Sequence, residues 1–250
     1  MMPSGSERAR EAAAQGAAAP AGAPHGATVR AMFDRIAPTY DVLNRLMSAG
    51  VDQLWRRRAV RALVDQARDG ALLDLCAGTL DLTARLAQAR PEARIVACDF
   101  AADMLERGRH KAPKAETVVG DALDLPFSAG EFSGVICGFG MRNLADLGRG
   151  MAEVRRVLAP GGVFVTLEFF RPERAVTRAF HAAYAEHVMP RVGGLLSGDR
   201  QAYRYLVRTM KQFATRSEYQ AALSDAGFSR VRSTDLTLGI AAIVVAEVSP

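Results

Sequence analysis

Several features that mark particular classes of protein are missing from this sequence of 250 residues. It has three cysteines, no C-x-x-C pair and no histidine at ligand spacing, which indicates neither a disulfide framework nor a zinc site. No stretch approaches the roughly 18 uninterrupted apolar residues of a membrane span, and the first residues lack the apolar core of a signal peptide. We therefore expect a reduced, cytoplasmic protein without a metal ion.

The positive charge is not gathered into a nucleic-acid-binding surface. The formal net charge is +5, but the arginines are scattered, and no basic run alternates with aromatic residues. The longest run, Arg56-Arg57-Arg58, follows Trp55 on a predicted helix. We interpret it as a solvated face rather than as a phosphate or membrane contact, and we expect no nucleic-acid partner.

An apolar run at residues 71–77 ends in Gly78, Thr79, Leu80 and Asp81. Such a run is typical of a parallel strand buried on both faces, and a glycine turn that opens a helix leaves backbone N–H groups available to a ligand. The turn alone is equally compatible with a plain strand-to-helix connection. The residues that follow it favour a binding turn.

Predicted strands and helices alternate after this turn. Strands end close to Gly78, Asp99, Asp121 and Gly138, and another follows the turn at residues 160–162. This rhythm predicts an α/β fold with a doubly wound, mostly parallel sheet of seven strands, closed by a hairpin. Ligands of such sheets bind at the carboxyl ends of the strands, where these four residues lie.

Two segments fall outside the alternation. Residues 1–28 are rich in Ala, Gly and Pro, which predicts a disordered tail before a single domain at residues 29–250. That domain begins with helices at residues 29–68. Residues 169–214 are aromatic and helical in pattern, which predicts either a lid over the substrate or helices packed on the sheet edge.

Local signals predict where two helices begin and what the cysteines do. Asp52 is predicted to cap a helix that carries Leu54 and Trp55 toward the core, and Ser217 to cap the last helix. The cysteines fall near predicted strand ends, and we interpret them as small buried hydrophobic residues.

The spacing of acidic residues indicates the class of ligand. Asp99 ends the second predicted strand 21 positions after Gly78, where a carboxylate can accept hydrogen bonds from a ribose diol. A nicotinamide dinucleotide would require G-x-G-x-x-G, which residues 76–81 lack, and acidic residues disfavour a ligand that carries phosphates. S-adenosylmethionine, which is cationic at sulfur and has no phosphate, fits this pocket better.

The chain resembles the ubiquinone/menaquinone biosynthesis C-methyltransferases. The resemblance extends from about Met32 to Val248. It rests on MFDRIAPTYD at residues 32–41 with Asn44, LDLCAGTLD at 73–81, DALDLPF at 121–127, FGMRNL at 139–144, and SGD at 197–199 with Tyr203 and Tyr205. The first and fourth motifs are more specific than the second, which any class I methyltransferase could show.

The resemblance implies transfer of a methyl group from S-adenosylmethionine to a ring carbon of a polyprenylated quinol. It places Asp99 on the ribose and Asp121 with Ala122 on the adenine. The full set of cofactor positions is Asp74, Gly78, Thr79, Asp81, Asp99, Asp121, Ala122 and Gly138.

The implied catalytic residues are Arg142, Asn143 and Tyr40. Arg142 does not deprotonate at ordinary pH but can stabilise a phenolate, and Asn143 can orient the hydroxyl. The general base stays open: Tyr40 can relay the proton or serve as a helix-face aromatic, and His181 and His187 can act as the base or lie on the surface.

Two positions depart from the family pattern. Leu80 stands where the family usually has a glycine against the methionine end of the cofactor, and we expect its side chain to narrow that space. Gly138 stands where members often have a serine that also contacts the cofactor. Both positions bear on cofactor affinity rather than on the fold.

Other functions remain open on the sequence alone. A methyltransferase of another small molecule, an RNA methyltransferase and a non-catalytic S-adenosylmethionine-binding protein would share this scaffold. The sequence does not distinguish a naphthoquinol from a benzoquinol substrate. A lipophilic substrate also leaves open a peripheral contact with the inner face of the membrane, and assembly as a homodimer is open as well.

Overall fold

The described part of the chain is built around one sheet. In the computed structural model of the protein, the described residues are 45, 48, 50–173, 178, 208–239 and 241–250. The strands are β1 (Leu72–Leu75), β2 (Ile95–Asp99), β3 (Glu116–Val119), β4 (Phe132–Gly138), β5 (Leu158–Glu168), β6 (Ser229–Leu236) and β7 (Ala241–Glu247).

The strand order is β3-β2-β1-β4-β5-β7-β6. The first five strands are parallel, and β7 lies antiparallel between β5 and β6. This arrangement confirms the predicted doubly wound, mostly parallel, seven-stranded sheet with a closing hairpin. The strand order reverses direction at β1 and β4, so their carboxyl ends frame the crevice in which such sheets bind ligands.

Helices cover both faces of the sheet. They are α1 (Asp52–Val64), α2 (Asp81–Ala89), α3 (Ala102–Gly108), α4 (Leu147–Val157) and α5 (Arg216–Asp225), with short 3-10 helices at Arg109–Lys111, Met141–Asn143 and Thr237–Gly239. One core layer lies under α1 and α2, and the other lies under α4 and α5. Because β1 and β2 are covered from both sides, every residue of these strands is buried, as their continuous apolar sequence predicts.

Several local expectations are wrong. Asp52 is the first residue of α1 and makes no side-chain cap, and Leu54 is 44% exposed instead of facing the core. The last helix is capped by Thr215, which forms a capping box with Glu218, rather than by Ser217. The predicted turn at residues 160–162 lies inside β5, where the register with β4 shifts.

Parts of the predicted organisation lie outside the described residues. These are the tail at 1–28, the helices before residue 45 and most of the insertion at 169–214. In the described ranges, no helix is long and apolar enough to cross a membrane.

A buried hydrogen bond joins α5 to the sheet. The Tyr219 and Thr166 hydroxyls are 2.8 Å apart, and both side chains are fully buried. Because both hydroxyls leave water when the chain folds, each depends on the other for a hydrogen bond. Burial raises the pKa of Tyr219 well above its usual range, so the phenol stays protonated and can donate.

Tyr219→Phe should therefore lower the free energy of unfolding by about 1–2 kcal/mol, because it leaves the Thr166 hydroxyl buried without this partner. Chemical denaturation measures the loss. The double variant Tyr219→Phe/Thr166→Val should lose less than the sum of the two single variants, since no orphaned hydroxyl remains. Additive losses would show that the hydroxyls are not coupled.

Candidate active site

A cavity of about 200 Å³ opens at the carboxyl ends of β1 to β4. Five of the predicted cofactor positions line it, together with one predicted catalytic residue: Gly78, Asp99, Asp121, Ala122, Gly138 and Asn143. The topology brings them together because β1 lies between β2 and β4, and parallel strands end at the same edge of a sheet. Asp74, Thr79 and Asp81 lie beside the cavity, not among the residues that line it.

Asp99 connects the turns that follow β1 and β2. Its Oδ2 accepts a hydrogen bond from the Gly78 backbone N–H at 2.8 Å, and its Oδ1 accepts one from the Ala101 N–H at 2.9 Å. The carboxylate is therefore held in one orientation while it lines the cavity. Each carboxylate oxygen can accept a second hydrogen bond, so the group can still bind a ligand hydroxyl.

Asp121 and Ala122 form the turn beyond β3. The Asp121 carboxylate accepts a hydrogen bond from the Leu123 N–H at 2.9 Å, which fixes the turn. Asp121 is exposed and Ala122 is buried, so this wall of the cavity presents one acidic and one apolar surface.

Strained backbone surrounds the cavity. Cys76 and Phe139, which follow β1 and β4, have φ values of 56° and 61°, a region that side chains other than glycine rarely adopt. Gly140, which follows Phe139, has no room for a side chain, because a Cβ there would lie 2.4 Å from the Cβ of Cys76. The two strand-end turns therefore meet at closer range than any other residue at position 140 would allow.

Asp74 lies within β1 and is 1% exposed. Its Oδ2 accepts a hydrogen bond of 2.6 Å from the Thr83 hydroxyl, whereas its Oδ1 has no hydrogen-bond partner among the described residues. Burial raises the pKa of this carboxyl to about 7, although Thr83 and the positive charge of Arg56 act in the opposite direction. Asp74 therefore holds the first turn of α2 against β1 through the hydroxyl of Thr83.

The sequence predicted that Arg56 lies on a solvated side of its helix, and this prediction is wrong. Its side chain is 7% exposed, and its Nε lies 3.3 Å from Asp52 and 3.9 Å from Asp81. Asp81 in turn accepts a hydrogen bond from Lys111 Nζ at 2.8 Å. The i, i+4 spacing of Asp52 and Arg56 is the sequence signal that could have revealed this buried pair.

Arg142 is held by Glu168, the last residue of β5. Its Nη1 donates to Glu168 Oε1 and to the Phe139 carbonyl, both at 2.6 Å. Burial raises the pKa of Glu168, and the charge of Arg142 opposes that shift. Asp146, the acidic residue nearest to Arg142 in the sequence, instead caps α4 by accepting a hydrogen bond from the Arg149 N–H.

Asn143 lies on the same short helix and faces the cavity, and its Nδ2 donates to the Phe139 carbonyl at 3.2 Å. The remaining proposed participants, Tyr40, His181 and His187, lie outside the described residues. Their roles stay predictions.

The three cysteines are free thiols. Cys76 and Cys98 line the cavity, and Cys98 and Cys137 are fully buried. Burial raises the pKa of Cys98 to about 12, and a hydrogen bond with Cys137, together with burial, raises that of Cys76 well above its usual range. The Cys76 and Cys98 thiols therefore stay protonated. Cys98 and Cys137 are small buried hydrophobic residues as predicted, whereas Cys76 is half-buried at the cavity wall.

Comparison with known proteins identifies the family. The profile of the ubiE/COQ5 methyltransferase family matches residues 23–247. The chain belongs to this family.

Similar sequences cover nearly the whole chain. A demethylmenaquinone methyltransferase of Thermus thermophilus is 44% identical over 86% of this chain and 99% of its own length. One of Deinococcus radiodurans is 41% identical over 88% and 92%, respectively. A ubiquinone/menaquinone biosynthesis C-methyltransferase UbiE of Syntrophotalea carbinolica is 40% identical over 84% and 90%.

Solved structures support the fold. A SAM-dependent methyltransferase of Thermotoga maritima superposes with a TM-score of 0.60 at 17% identity, covering 86% of this chain and 98% of that one. One of Aquifex aeolicus gives 0.59 at 15% identity, covering 83% and 97%. The sheet is therefore that of a Rossmann-like class I methyltransferase.

The structure shows how Leu80 is accommodated at a position where the family usually has a glycine. It has φ 63° and ψ 26°, the left-handed conformation that glycine adopts most readily, which explains why a glycine is usual there. Its fully buried side chain packs in a small cluster with Ala97, Leu105 and Ala112. The expectation that it narrows the cofactor space is wrong, because it points into this cluster and does not line the cavity.

The side chain of Leu82 lies against the backbone of Gly138. A Cβ at position 138 would lie 2.6 Å from Leu82 Cδ1, so the leucine occupies the space that a serine side chain would enter. Gly138 therefore lines the cavity without a side chain, and the side chain of Leu82 occupies the space beside it.

Leu80 precedes α2 in a left-handed conformation, so the order of stability that alanine and glycine variants show inside a helix should be reversed there. Leu80→Ala and Leu80→Gly should both lower the free energy of unfolding by about 2–4 kcal/mol, because each empties the buried cluster. The glycine variant should be about 1 kcal/mol more stable than the alanine variant, because glycine relieves the left-handed strain. Chemical denaturation of both proteins measures the difference.

Leu86 provides the matched control, since it is fully buried at an ordinary helical position inside α2, the helix that begins directly after Leu80. Leu86→Gly should be about 1 kcal/mol less stable than Leu86→Ala. An alanine variant that is the more stable one at both positions would contradict the strain at Leu80.

Proposed function

We propose that the protein transfers a methyl group from S-adenosylmethionine to a ring carbon of a polyprenylated quinol in menaquinone biosynthesis. Membership of the ubiE/COQ5 methyltransferase family supports the reaction class. The naphthoquinol is favoured over the benzoquinol because the names of all three relatives include menaquinone.

The charge of the cavity is the observation that supports S-adenosylmethionine as the cofactor. Among the described residues that line it, Asp99 and Asp121 are acidic and none is basic. A phosphate-bearing dinucleotide would meet two carboxylates without a compensating cation, whereas a cationic sulfonium ligand without phosphate is electrostatically matched. Asp99 is already oriented by two backbone N–H groups to accept a diol.

S-adenosylmethionine supplies a methyl group bonded to positively charged sulfur. The residues of this chain would hold it by Asp99 at the ribose and by Asp121 with Ala122 at the adenine. Phe139, Leu144 and Met104 add apolar surface to the same cavity, which excludes water from the reacting groups.

Carbon methylation requires an electron-rich ring carbon, which forms when a neighbouring quinol hydroxyl loses its proton. Arg142 follows β4 beside the cavity, and its guanidinium can stabilise negative charge on that oxygen. Glu168 accepts hydrogen bonds from the Arg142 side chain and backbone N–H, so it fixes the guanidinium rather than binding substrate. Asn143 lines the cavity and is placed to orient the hydroxyl.

The decisive assay incubates the protein with labelled S-adenosylmethionine and either demethylated naphthoquinol or demethylated benzoquinol. Label should enter the naphthoquinol ring. Cofactor binding without turnover on either quinol would indicate a non-catalytic protein or a methyltransferase of another substrate. Label in RNA, with a steep salt dependence of binding, would instead indicate an RNA methyltransferase.

Asp99→Ala should weaken S-adenosylmethionine binding by about 1.5–3 kcal/mol, because the charged acceptor for the ribose diol is lost. Isothermal titration calorimetry measures the change. Asp225→Ala removes an exposed carboxylate from the end of α5 and serves as the control, with unchanged affinity expected. Normal affinity of a folded Asp99→Ala protein would remove Asp99 from the cofactor site.

Arg142→Lys should lower kcat by roughly 10- to 1,000-fold and leave cofactor affinity nearly unchanged, because the charge is kept but the planar, two-pronged geometry is lost. Glu168→Gln is the matched variant, since it weakens the buried pair but retains the guanidinium, and its kcat should fall less. If both variants melt at lower temperature but turn over normally, Arg142 only stabilises the fold.

A further inference from the structure

The outward face of α1 carries an unusual set of side chains. Leu54, Arg57, Arg58 and Arg61 are exposed, and their i, i+3, i+4, i+7 spacing places them on one side of the helix. We call these four residues the arginine face. The residues between them, such as Trp55 and Ala59, are buried against the sheet, so the helix is divided cleanly into two sides.

The charges of the arginine face are poorly compensated. Among the described residues, Arg57 and Arg58 have no acidic partner within salt-bridge distance, and Arg61 has only the exposed Asp65 at 3.7 Å. Many other exposed arginines are paired within the protein, including Arg94 with Glu116 and Glu131, Arg171 with Glu218, and Arg232 with Glu247. The arginine face thus retains positive charge that much of the surface neutralises.

The positive field extends onto the neighbouring helix. Arg85 of α2 donates a hydrogen bond to Gln53 of α1, so the two helices are tied together beside the arginine face. Partial burial, followed by the positive charge of Arg57, lowers the pKa of Arg85. An anion that binds here would relieve repulsion between these arginines.

The arginine face begins at the edge of the sheet that holds the cavity. In the first turn of α1, Trp55 lies 6.0 Å from Phe169, which follows β5, and Arg56 lies 5.5 Å from Phe139 of the cavity wall, measured to the ring centroids. At the other end of α1, Leu63 packs against Gly134 near the start of β4. The helix therefore runs antiparallel to the strands, and the exposed Leu54 lies nearest the cavity.

We propose that the arginine face docks the protein on the surface of an anionic phospholipid bilayer. This inference rests on the proposed function, because a polyprenylated quinol resides in a membrane. Guanidinium groups bind phosphate in a two-pronged geometry, and basic residues adjacent to a membrane are attracted by its negative surface potential. Leu54 supplies an apolar side chain at the end of the face nearest the cavity, where a lipid interface can accept it.

Co-sedimentation with vesicles tests the docking. The full-length protein should bind vesicles of phosphatidylcholine with phosphatidylglycerol, and should not bind phosphatidylcholine alone. The triple variant Arg57→Gln/Arg58→Gln/Arg61→Gln should reduce partitioning on the order of 100-fold at low ionic strength. High salt should abolish binding of the unmodified protein, because the contact is electrostatic.

Two further variants test whether vesicle binding depends on the arginine face or only on the net charge of the protein. Arg107→Gln/Arg149→Gln/Arg230→Gln removes the same charge from exposed positions outside α1 and should leave binding within a few-fold. Leu54→Ser, which keeps all charges, should weaken binding about three- to tenfold. Equal losses in the two triple variants, or equally tight binding of single-stranded RNA through the same arginines, would overturn the assignment to a lipid surface.

Activity distinguishes this inference from the proposed function. The arginine-face variant should methylate a water-soluble short-chain quinol at the normal rate but a long-chain quinol in anionic vesicles more slowly. Equal rates on the vesicle substrate would overturn the docking. Absence of methyl transfer to either quinol would contradict the proposed function, while the vesicle-binding result would still decide the docking.

Discussion

The site depends on one carboxylate that joins two turns. Asp99 ends β2, accepts the Gly78 N–H from the turn after β1, and accepts the Ala101 N–H of its own turn. These hydrogen bonds add to the backbone hydrogen bond from the Ala77 N–H to the Cys98 carbonyl at 3.1 Å and fix the two turns relative to each other. Because the same carboxylate lines the cavity, the group that shapes the site is also the one that a ligand hydroxyl meets.

Local strain around the cavity is compensated by packing. Cys76, Leu80 and Phe139 all have positive φ, which costs each of them on the order of 1–2 kcal/mol. Leu80 offsets this cost by complete burial, and Phe139 by contact with the ring of Phe169 at a centroid distance of 4.7 Å. Backbone conformations that a short peptide would avoid persist here because the surrounding side chains favour no alternative.

Two groups of buried charge lie close to Phe139. Arg56 lies among carboxylates and Arg142 is paired with Glu168, and their Cζ atoms are 5.5 Å and 5.9 Å from the Phe139 ring centroid. A buried ion pair adds little net stability, but it holds its members in place once they are desolvated. The two buried groups therefore meet at the ring of one residue of the cavity wall.

Sequence alone determined the architecture and the edge of the sheet at which the cavity opens. Continuous apolar strands alternating with helices specify a parallel sheet, and parallel strands must bring Gly78, Asp99 and Asp121 to one edge, whatever the details of packing. The contacts of Leu80 and of the long arginine side chains were decided only by tertiary structure. Leu80 turned away from the cavity because a neighbouring cluster could bury it, and Arg56 became buried while Arg57 stayed in solvent. Leu80 packs against residues distant in sequence, and Arg56 approaches the distant Asp81 as well as Asp52 of its own helix. The position of a residue on a helix determines which of these partners it can reach.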